Sequence, residues 1–196
     1  MNFTVIDFET ANSHRSSVCA LGLTVVRNGD IVEKKAWLVR PKINRFNGMN
    51  IGIHGIRPED VEFEPEFDEL YHKTIKDYLV GELVVAHNAS FDMSVLRHVL
   101  DAYNIEYPSF EYVCTVKLAQ KHWSHLPNHK LNTVSEYLGF SFKHHDALDD
   151  TLACANILTT IGLERNQKCV KEVAKQLGVT VGKVYPGGYK SCSSRK

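Results

Sequence analysis

The sequence has little of what marks membrane, secreted or zinc-binding proteins. None of its apolar runs approaches the roughly 18 residues that a membrane-spanning helix needs. Its first residues pass straight into a strand pattern, without the basic flank and apolar core of a signal peptide. Its 5 cysteines are odd in number, widely spaced and free of any C-x-x-C pair, which predicts reduced thiols rather than disulfides or a zinc site. We therefore expect a cytoplasmic protein without a membrane partner.

Net charge is also absent, but the formal total of +0 conceals two opposite parts. Residues 1–164 carry 15 Lys and Arg against 22 Asp and Glu, whereas residues 165–196 carry 8 against 1. An acidic body repels phosphate, so nucleic acid binds to it only if cations or a basic segment offset that repulsion. The length of 196 residues is enough for one domain with a full core and a small appendage.

Three β-strands are predicted at the start of the chain, at 3–9, 18–26 and 31–39. The last two are joined through Asn28-Gly29, a strong hairpin signal, so an antiparallel meander is expected. The period of two puts Asp7 and Glu9 on the same face of the first strand as core residues. Their Cα atoms should lie about 7 Å apart, close enough to share a cation. An edge strand whose end reaches solvent is the alternative.

Strands and helices alternate in the rest of the chain. Two short apolar strands, 83–86 and 110–114, are each followed by a helical pattern, which is typical of an α/β fold with its site at the carboxyl ends of the strands. Residues 41–53 lack a usable period and are predicted to be a loop. Helices are expected at 57–79, about 91–103 with Ser90 as N-cap, from 115, 131–138, from 147, and 169–177. From Gly178 onward the chain is rich in Gly, Ser and Lys, and we expect a tail that is flexible toward its end.

Two further carboxylates occupy positions where a charge is costly. At 100° per residue, Asp150 lies along the flank of the apolar arc of its helix, whereas Asp149 lies nearly opposite and can face water. Asp92 falls near the centre of another apolar helix face. A first-turn residue that answers the helix dipole is the simpler explanation for Asp92, although such a side chain normally points toward water.

Together, these carboxylates have the chemistry of a divalent metal site. Without a cation, Asp7, Glu9, Asp92 and Asp150 would repel one another and take up protons. Mg²⁺ and Mn²⁺ favour carboxylate and water oxygens, and two ions about 3.5 to 4 Å apart hold an in-line phosphoryl displacement at both oxygens. His145 lies in the loop before Asp150 and is the candidate general base.

Three segments resemble the exonuclease motifs of the DnaQ-like DEDDh 3′–5′ exonucleases, in the same order and spacing. They are Asp7-Phe8-Glu9-Thr10, His87-Asn88-Ala89-Ser90-Phe91-Asp92 and His145-Asp146-Ala147-Leu148-Asp149-Asp150. The resemblance extends over about residues 2–162. Within this family, the sequence most resembles the proofreading epsilon subunit of bacterial DNA polymerase III and its stand-alone relatives. It implies an α/β ribonuclease H-like exonuclease domain in residues 1–165, with a central mixed sheet of five strands flanked by helices. Residues 166–196 would then form a basic C-terminal helix and flexible tail.

The resemblance also implies a role for each motif residue. Asp7 would bridge two metal ions, Glu9 and Asp150 would complete the first metal site, and Asp92 would serve the second. His145 would activate the attacking water, with His144 as the alternative base. Residues that resemble those holding the terminal nucleotide are Phe8, Thr10, His54, Asn88 and Phe91.

The implied reaction is the release of 5′-mononucleotides from 3′ ends of single-stranded DNA, in proofreading or repair. DNA polymerase III subunits are the implied protein partners. RNA trimming, as in ribonuclease T or oligoribonuclease, and a non-catalytic module associated with a polymerase remain open. The basic tail is open to three interpretations: an arm for nucleic acid, a docking segment, or a solvated helix with a frayed end.

Overall fold

The computed structural model describes residues 1–194 as a mixed sheet flanked by helices. The strands are β1 (Phe3–Thr10), β2 (Val18–Arg27), β3 (Asp30–Leu38), β4 (Leu83–Ala86), β5 (Phe110–Cys114), β6 (Val179–Thr180), β7 (Gly182–Tyr185), β8 (Gly188–Lys190) and β9 (Ser193–Ser194). The helices are α1 (Gly48–His54), α2 (Phe67–Lys73), α3 (Ser90–Ala102), α4 (Thr115–His122), α5 (Leu131–Tyr137), α6 (Ala147–Glu164) and α7 (Val170–Gln176). Short 3-10 turns occupy Pro58–Asp60 and Ile75–Tyr78.

The main sheet has the strand order β3-β2-β1-β4-β5-β7-β8. Strand β2 pairs antiparallel with β1 and β3, as the predicted meander requires, whereas β1, β4 and β5 run parallel. The hairpin turn has positive φ at both Asn28 (57°) and Gly29 (94°), as a type I′ turn demands. Strand β1 is therefore interior rather than an edge strand, and its carboxyl end meets those of β4 and β5 at one edge of the sheet.

The main sheet has seven strands rather than the predicted five, because the C-terminal segment adds β7 and β8. Strand β7 pairs antiparallel with β5, and the side chains of Val184 and Cys192 are buried. Residues 179–194 of the tail, which we expected to be flexible toward its end, thus contain four short strands, while residues 195–196 lie outside the described chain. These strands are too short to show a period in the sequence. The division of the chain at residue 165 remains a prediction.

Helix α1 lies within the segment that was predicted to be a loop. It buries none of its residues completely, so its sequence lacks an apolar period. Its ends are nevertheless fixed: the Asn47 side chain accepts from the N–H of Asn50 (2.8 Å), and Gly55 closes the helix with φ of 80°. Ser90 is the first residue of α3 rather than its N-cap, and the predicted helical region 57–79 is divided into α2 and the two 3-10 turns.

Helix α6 packs against β2 with almost no space between them. A Cβ atom at Gly22 would lie 1.9 Å from the carbonyl oxygen of Ala147, the first residue of α6. Further along, the hydroxyl oxygens of Thr24 and Thr151 are buried 2.7 Å apart. These contacts place the first turn of α6 beside the carboxyl half of β1. No helix of residues 1–194 is long and apolar enough to cross a membrane.

Candidate active site

A cavity of about 580 Å³ opens at the carboxyl end of β1. Its walls come from the last residues of β1, from α1 and α4, from residues 87–91 and 129–131, and from the turn that precedes α6. In α/β sheets, ligand-binding sites usually lie at the carboxyl ends of the parallel strands, which is where this cavity opens.

Three carboxylates meet on the wall of this cavity. Asp7 and Glu9 follow one another on one face of β1, and Asp150 reaches them from the first turn of α6. One oxygen atom from each side chain lies within 4.8 Å of the others, a spacing suitable for a shared metal ion. The period of two on β1 and the helix register of Asp150 are the features from which the sequence predicted this cluster.

Asp92 belongs to the same acidic group but has a different place. Its side chain is only 1% exposed, and its Oδ1 accepts a hydrogen bond from the backbone N–H of Phe8 (3.1 Å). Among the described residues that line the cavity, Asp92 is not included. The dipole explanation, with the carboxylate in water, therefore does not hold for Asp92, which ties the first turn of α3 to β1.

The acidic groups hold protons more tightly than ordinary carboxylates. Burial, and next the charges of the other three acids, raise the pKa of Asp7 well above its usual value. Burial followed by the charge of Asp150 raises the pKa of Glu9 to about 8, and burial raises the pKa of Asp92 to about 7 and also that of Asp150. A divalent cation would offset the repulsion, and these hard oxygen donors are the ligands that Mg²⁺ and Mn²⁺ prefer.

Two adjacent histidines flank Asp150 and line the cavity. Nδ1 of His144 lies 3.3 Å from Oδ1 of Asp150, whereas His145 contacts the same carboxylate through its backbone N–H, 3.2 Å from Oδ2. The two rings stack with centroids 3.8 Å apart, and His145 has a φ of 66°. Burial, and next the nearby His144, lowers the pKa of His145. The geometry brings both candidate bases to the site.

The five predicted nucleotide-binding residues all line the cavity. Nδ1 of His54 accepts from the N–H of Ile56 (3.0 Å), so Nε2 carries the proton and donates to the carbonyl oxygen of Thr10 (3.2 Å). The guanidinium carbon of Arg15 lies over the ring of Phe91, 4.2 Å from the ring centre. The other predicted residues that line the cavity are Phe8, Thr10 and Asn88.

Several residues of the cavity wall were not identified from the sequence. Asn50 donates its side-chain N–H to the carbonyl of Thr10 (2.7 Å), but it lies on α1, the helix that the sequence did not reveal. His87 is the first residue of the second motif but was given no role; it is held at both ring nitrogens, 2.9 Å from Oγ1 of Thr115 and 3.0 Å from the carbonyl oxygen of His129. Burial lowers the pKa of His87 to about 4, so its ring is neutral.

Asp149 is half-buried rather than solvent-facing. Its Oδ2 accepts from the backbone N–H of Lys143 (2.9 Å) and so supports the turn that carries the two histidines. The cap of α6 is Asp146, whose Oδ1 accepts from the N–H of Leu148 (3.2 Å) and of Asp149 (3.3 Å). An aspartate directly before an apolar helical pattern is a signal that could have revealed this cap.

Comparison with known proteins gives a family for the chain. The family model RNase_T, described as an exonuclease, matches residues 4–158. The PolC-type DNA polymerase III of Clostridium perfringens is 30% identical over 161 residues, which are 80% of this chain and 11% of that protein. The Thermotoga maritima protein of the same type is 28% identical over 182 residues, 91% of this chain and 12% of that protein. The chain spans about a tenth of the length of these relatives.

Solved structures of exonucleases share the fold. Exonuclease X in complex with 5′ overhanging duplex DNA superposes with a TM-score of 0.72 at 25% identity, over 90% of this chain and 99% of that one. The nuclease domain of 3′hExo, a DEDDh family member bound to rAMP, has a TM-score of 0.71 at 20% identity, over 83% and 92% of the two chains. With a family match over most of its length, the chain belongs to the RNase_T exonuclease family and has the fold of the DEDDh exonucleases.

Proposed function

We propose that the protein is a metal-dependent 3′–5′ exonuclease that hydrolyses phosphodiester bonds at 3′ ends of single-stranded DNA and releases 5′-mononucleotides. The observation that carries this proposal is the meeting of Asp7, Glu9 and Asp150 within 4.8 Å on the cavity wall, beside two histidines. Membership of an exonuclease family supports the reaction type.

The three carboxylates of the cavity wall suit a divalent ion, Mg²⁺ or Mn²⁺, and the resemblance of the motifs implies two such ions. Asp7, Glu9 and Asp150 would hold the first ion, and Asp7 with Asp92 would hold the second. When bound, such ions offset the negative charge that develops on the attacking and leaving oxygens. The raised pKa values of Asp7 and Glu9 support this proposal. Without metal the carboxylates repel one another, and bound cations would offset that repulsion.

The other residues hold the nucleotide and move the proton. His145 accepts the proton of the attacking water, because its lowered pKa keeps the imidazole neutral at neutral pH. The leaving group is the 3′-oxygen of the preceding nucleotide. Phe8 and Phe91 supply apolar surface to the terminal nucleotide, and Asn88 supplies polar groups. His54 holds the end of β1 in place through its bond to Thr10.

DNA is the proposed substrate because relatives such as the Clostridium perfringens protein, which is 30% identical, are DNA polymerases. Proofreading or repair with DNA polymerase III subunits is the proposed setting. The cytoplasm is the proposed location, since the cysteines of the chain are free and reduced thiols belong to a reducing compartment.

The test compares labelled single-stranded DNA and RNA of one sequence, each with Mg²⁺, Mn²⁺ or EDTA. We expect metal-dependent shortening of both, faster for DNA, and none in EDTA. Faster degradation of RNA would assign the protein to the exoribonucleases instead. Binding of either strand without cleavage under any metal would assign it to the non-catalytic modules.

A further inference from the structure

A second groove, of about 300 Å³, lies beside the active-site cavity and shares Asn88, Val116 and Gln120 with it. Its walls are α3, α4, the carboxyl end of β5 and residues 189–192 of the C-terminal segment. The two cavities are therefore adjacent, and the second is within reach of a nucleic-acid strand whose 3′ end occupies the first one.

The charge of the groove is opposite to that of the active site. Arg97 and Lys117 line it, and its described lining residues include no Asp or Glu. Ser90 and Ser94 lie on the same face of α3 as Arg97, at a spacing of one and two helical turns. A row of hydroxyls with two cations suits a phosphate backbone. The groove is therefore a local basic region within residues 1–164, which as a whole carry 15 basic against 22 acidic residues.

Tyr189 forms an aromatic platform at the wall of this groove. The guanidinium carbon of Arg97 lies 3.6 Å from the centre of the Tyr189 ring and covers one face of it. Tyr189 is nevertheless 46% exposed, so part of its side chain is accessible to a ligand. Nε of Arg97 is buried without a hydrogen-bond partner among the described residues, and the guanidinium makes a cation–π contact with the ring. A nucleobase stacks well on a tyrosine held in this way.

The C-terminal hairpin holds Tyr189 in a fixed position. Tyr189 pairs with Val184 across β7 and β8, and β7 is bonded to β5. The backbone N–H of Cys192 donates to the hydroxyl of Tyr112 (3.2 Å). Gly182 allows Tyr112 to pack closely against β7, because a Cβ atom at position 182 would lie 2.4 Å from the ring of Tyr112. The platform is therefore organised before any ligand arrives, which lowers the entropic cost of binding.

We propose that this groove binds the nucleotides that precede the 3′ end of the strand being degraded. A base stacks on Tyr189, and phosphates lie beside Arg97 and Lys117. The inference rests on the proposed exonuclease function and gives the C-terminal segment a defined part in it, as a wall of the substrate path.

The first experiment measures how much kcat/KM increases when the substrate is longer. The quantity is the ratio of kcat/KM for a single strand of roughly 12 nucleotides to that for a dinucleotide, since stacking sites of this kind extend over several nucleotides. We expect Tyr189→Ala to lower this ratio roughly 5- to 30-fold, as the loss of one base-stacking contact does, and Tyr189→Phe to retain it. Tyr137→Ala is the matched control, because Tyr137 is also exposed (50%) and lies outside the groove. A ratio unchanged in Tyr189→Ala would overturn the proposal.

The second experiment does not depend on cleavage. In the Asp150→Asn background, binding of the longer strand is followed by fluorescence anisotropy at increasing salt concentration. We expect Lys117→Gln to reduce the slope of log K against log salt by about 0.7, whereas Lys121→Gln on the same helix leaves it unchanged. Equal slopes for the two variants would overturn the groove. If Lys117→Gln reduces the slope as expected but the unmutated enzyme shows no turnover, the exonuclease function is overturned and the groove is retained.

Discussion

Gly22 lies directly opposite Asp7 in the β1–β2 ladder, and the first turn of α6 occupies the space beside it. The carbonyl oxygen of Ala147 stands where a side chain at position 22 would begin, 1.9 Å from an ideal Cβ. This contact lets the amino end of α6 reach the strand that carries Asp7, and so brings Asp150 within 4.8 Å of it.

We therefore expect Gly22→Ala to damage the site from a distance. The added methyl group pushes α6 away from β2 and costs roughly 1 to 3 kcal/mol of unfolding free energy, as overpacking does. Because Asp150 moves with the helix, kcat should fall at least about tenfold. Steady-state kinetics and thermal unfolding check this. Gly52→Ala is the control, since a Cβ there meets nothing within 4 Å. Full activity of Gly22→Ala would mean that the helix position does not matter.

Asp149 and Asp150 are neighbours with opposite expected sensitivity. Asp150→Asn removes a ligand charge and should lower kcat by roughly two to three orders of magnitude, the equivalent of several kcal/mol of charge stabilisation. Asp149→Asn keeps an oxygen that accepts from the N–H of Lys143, so its turnover should stay close to that of the parent enzyme. Single-turnover kinetics at saturating Mg²⁺ measures both. Similar losses in the two variants would contradict the assignment.

Alanine substitutions distinguish the roles of His145 and His144. A general base contributes roughly 10²- to 10⁴-fold to the rate, so His145→Ala should lose that factor. His144→Ala should show a smaller loss and a weaker metal affinity, because His144 lies 3.3 Å from Asp150 and supports it. The pH profile of kcat distinguishes the two: removal of the base abolishes the acidic limb. Near-full turnover by His145→Ala would transfer the role of base to His144.

The pKa of Glu9 makes the stability of the metal-free protein depend on pH. Its pKa rises from 4.5 to about 8 on folding, because of burial and the charge of Asp150. The folded state therefore binds more protons than the unfolded state between these values, and stability must fall as pH rises through this window. In EDTA we expect the Tm to drop by several degrees from about pH 5 to about pH 8, and to drop less in Glu9→Gln. Mg²⁺ should raise the Tm more at the higher pH. The same pH dependence in both proteins would contradict this account.

Much of the site could be predicted because its signals are local. Asp7 and Glu9 share a face through the period of two, and the positions of Asp92 and Asp150 on apolar helix faces are visible in the sequence. The Asn28-Gly29 hairpin is likewise encoded by residues that tolerate positive φ. These predictions need only neighbouring residues along the chain.

The parts that could not be predicted depend on distant partners. Helix α1, with Asn50, buries no residue completely and is fixed by its caps, so periodicity does not reveal it. Strand β7 joins the sheet through backbone pairing at Gly182, where the absence of a side chain matters because Tyr112 lies there. Asp149 is half-buried, and its carboxylate accepts a hydrogen bond from the backbone N–H of Lys143, a contact that a helical projection does not show.

The most direct measurement follows single-stranded DNA labelled at its 5′ end, with the products resolved over time in Mg²⁺ or Mn²⁺. The account predicts a ladder that shortens from the 3′ end one nucleotide at a time, the appearance of 5′-mononucleotides, and the loss of both in EDTA and in Asp150→Asn. Internal cuts, mononucleotides that carry a 3′-phosphate, or an intact strand under both ions would contradict it.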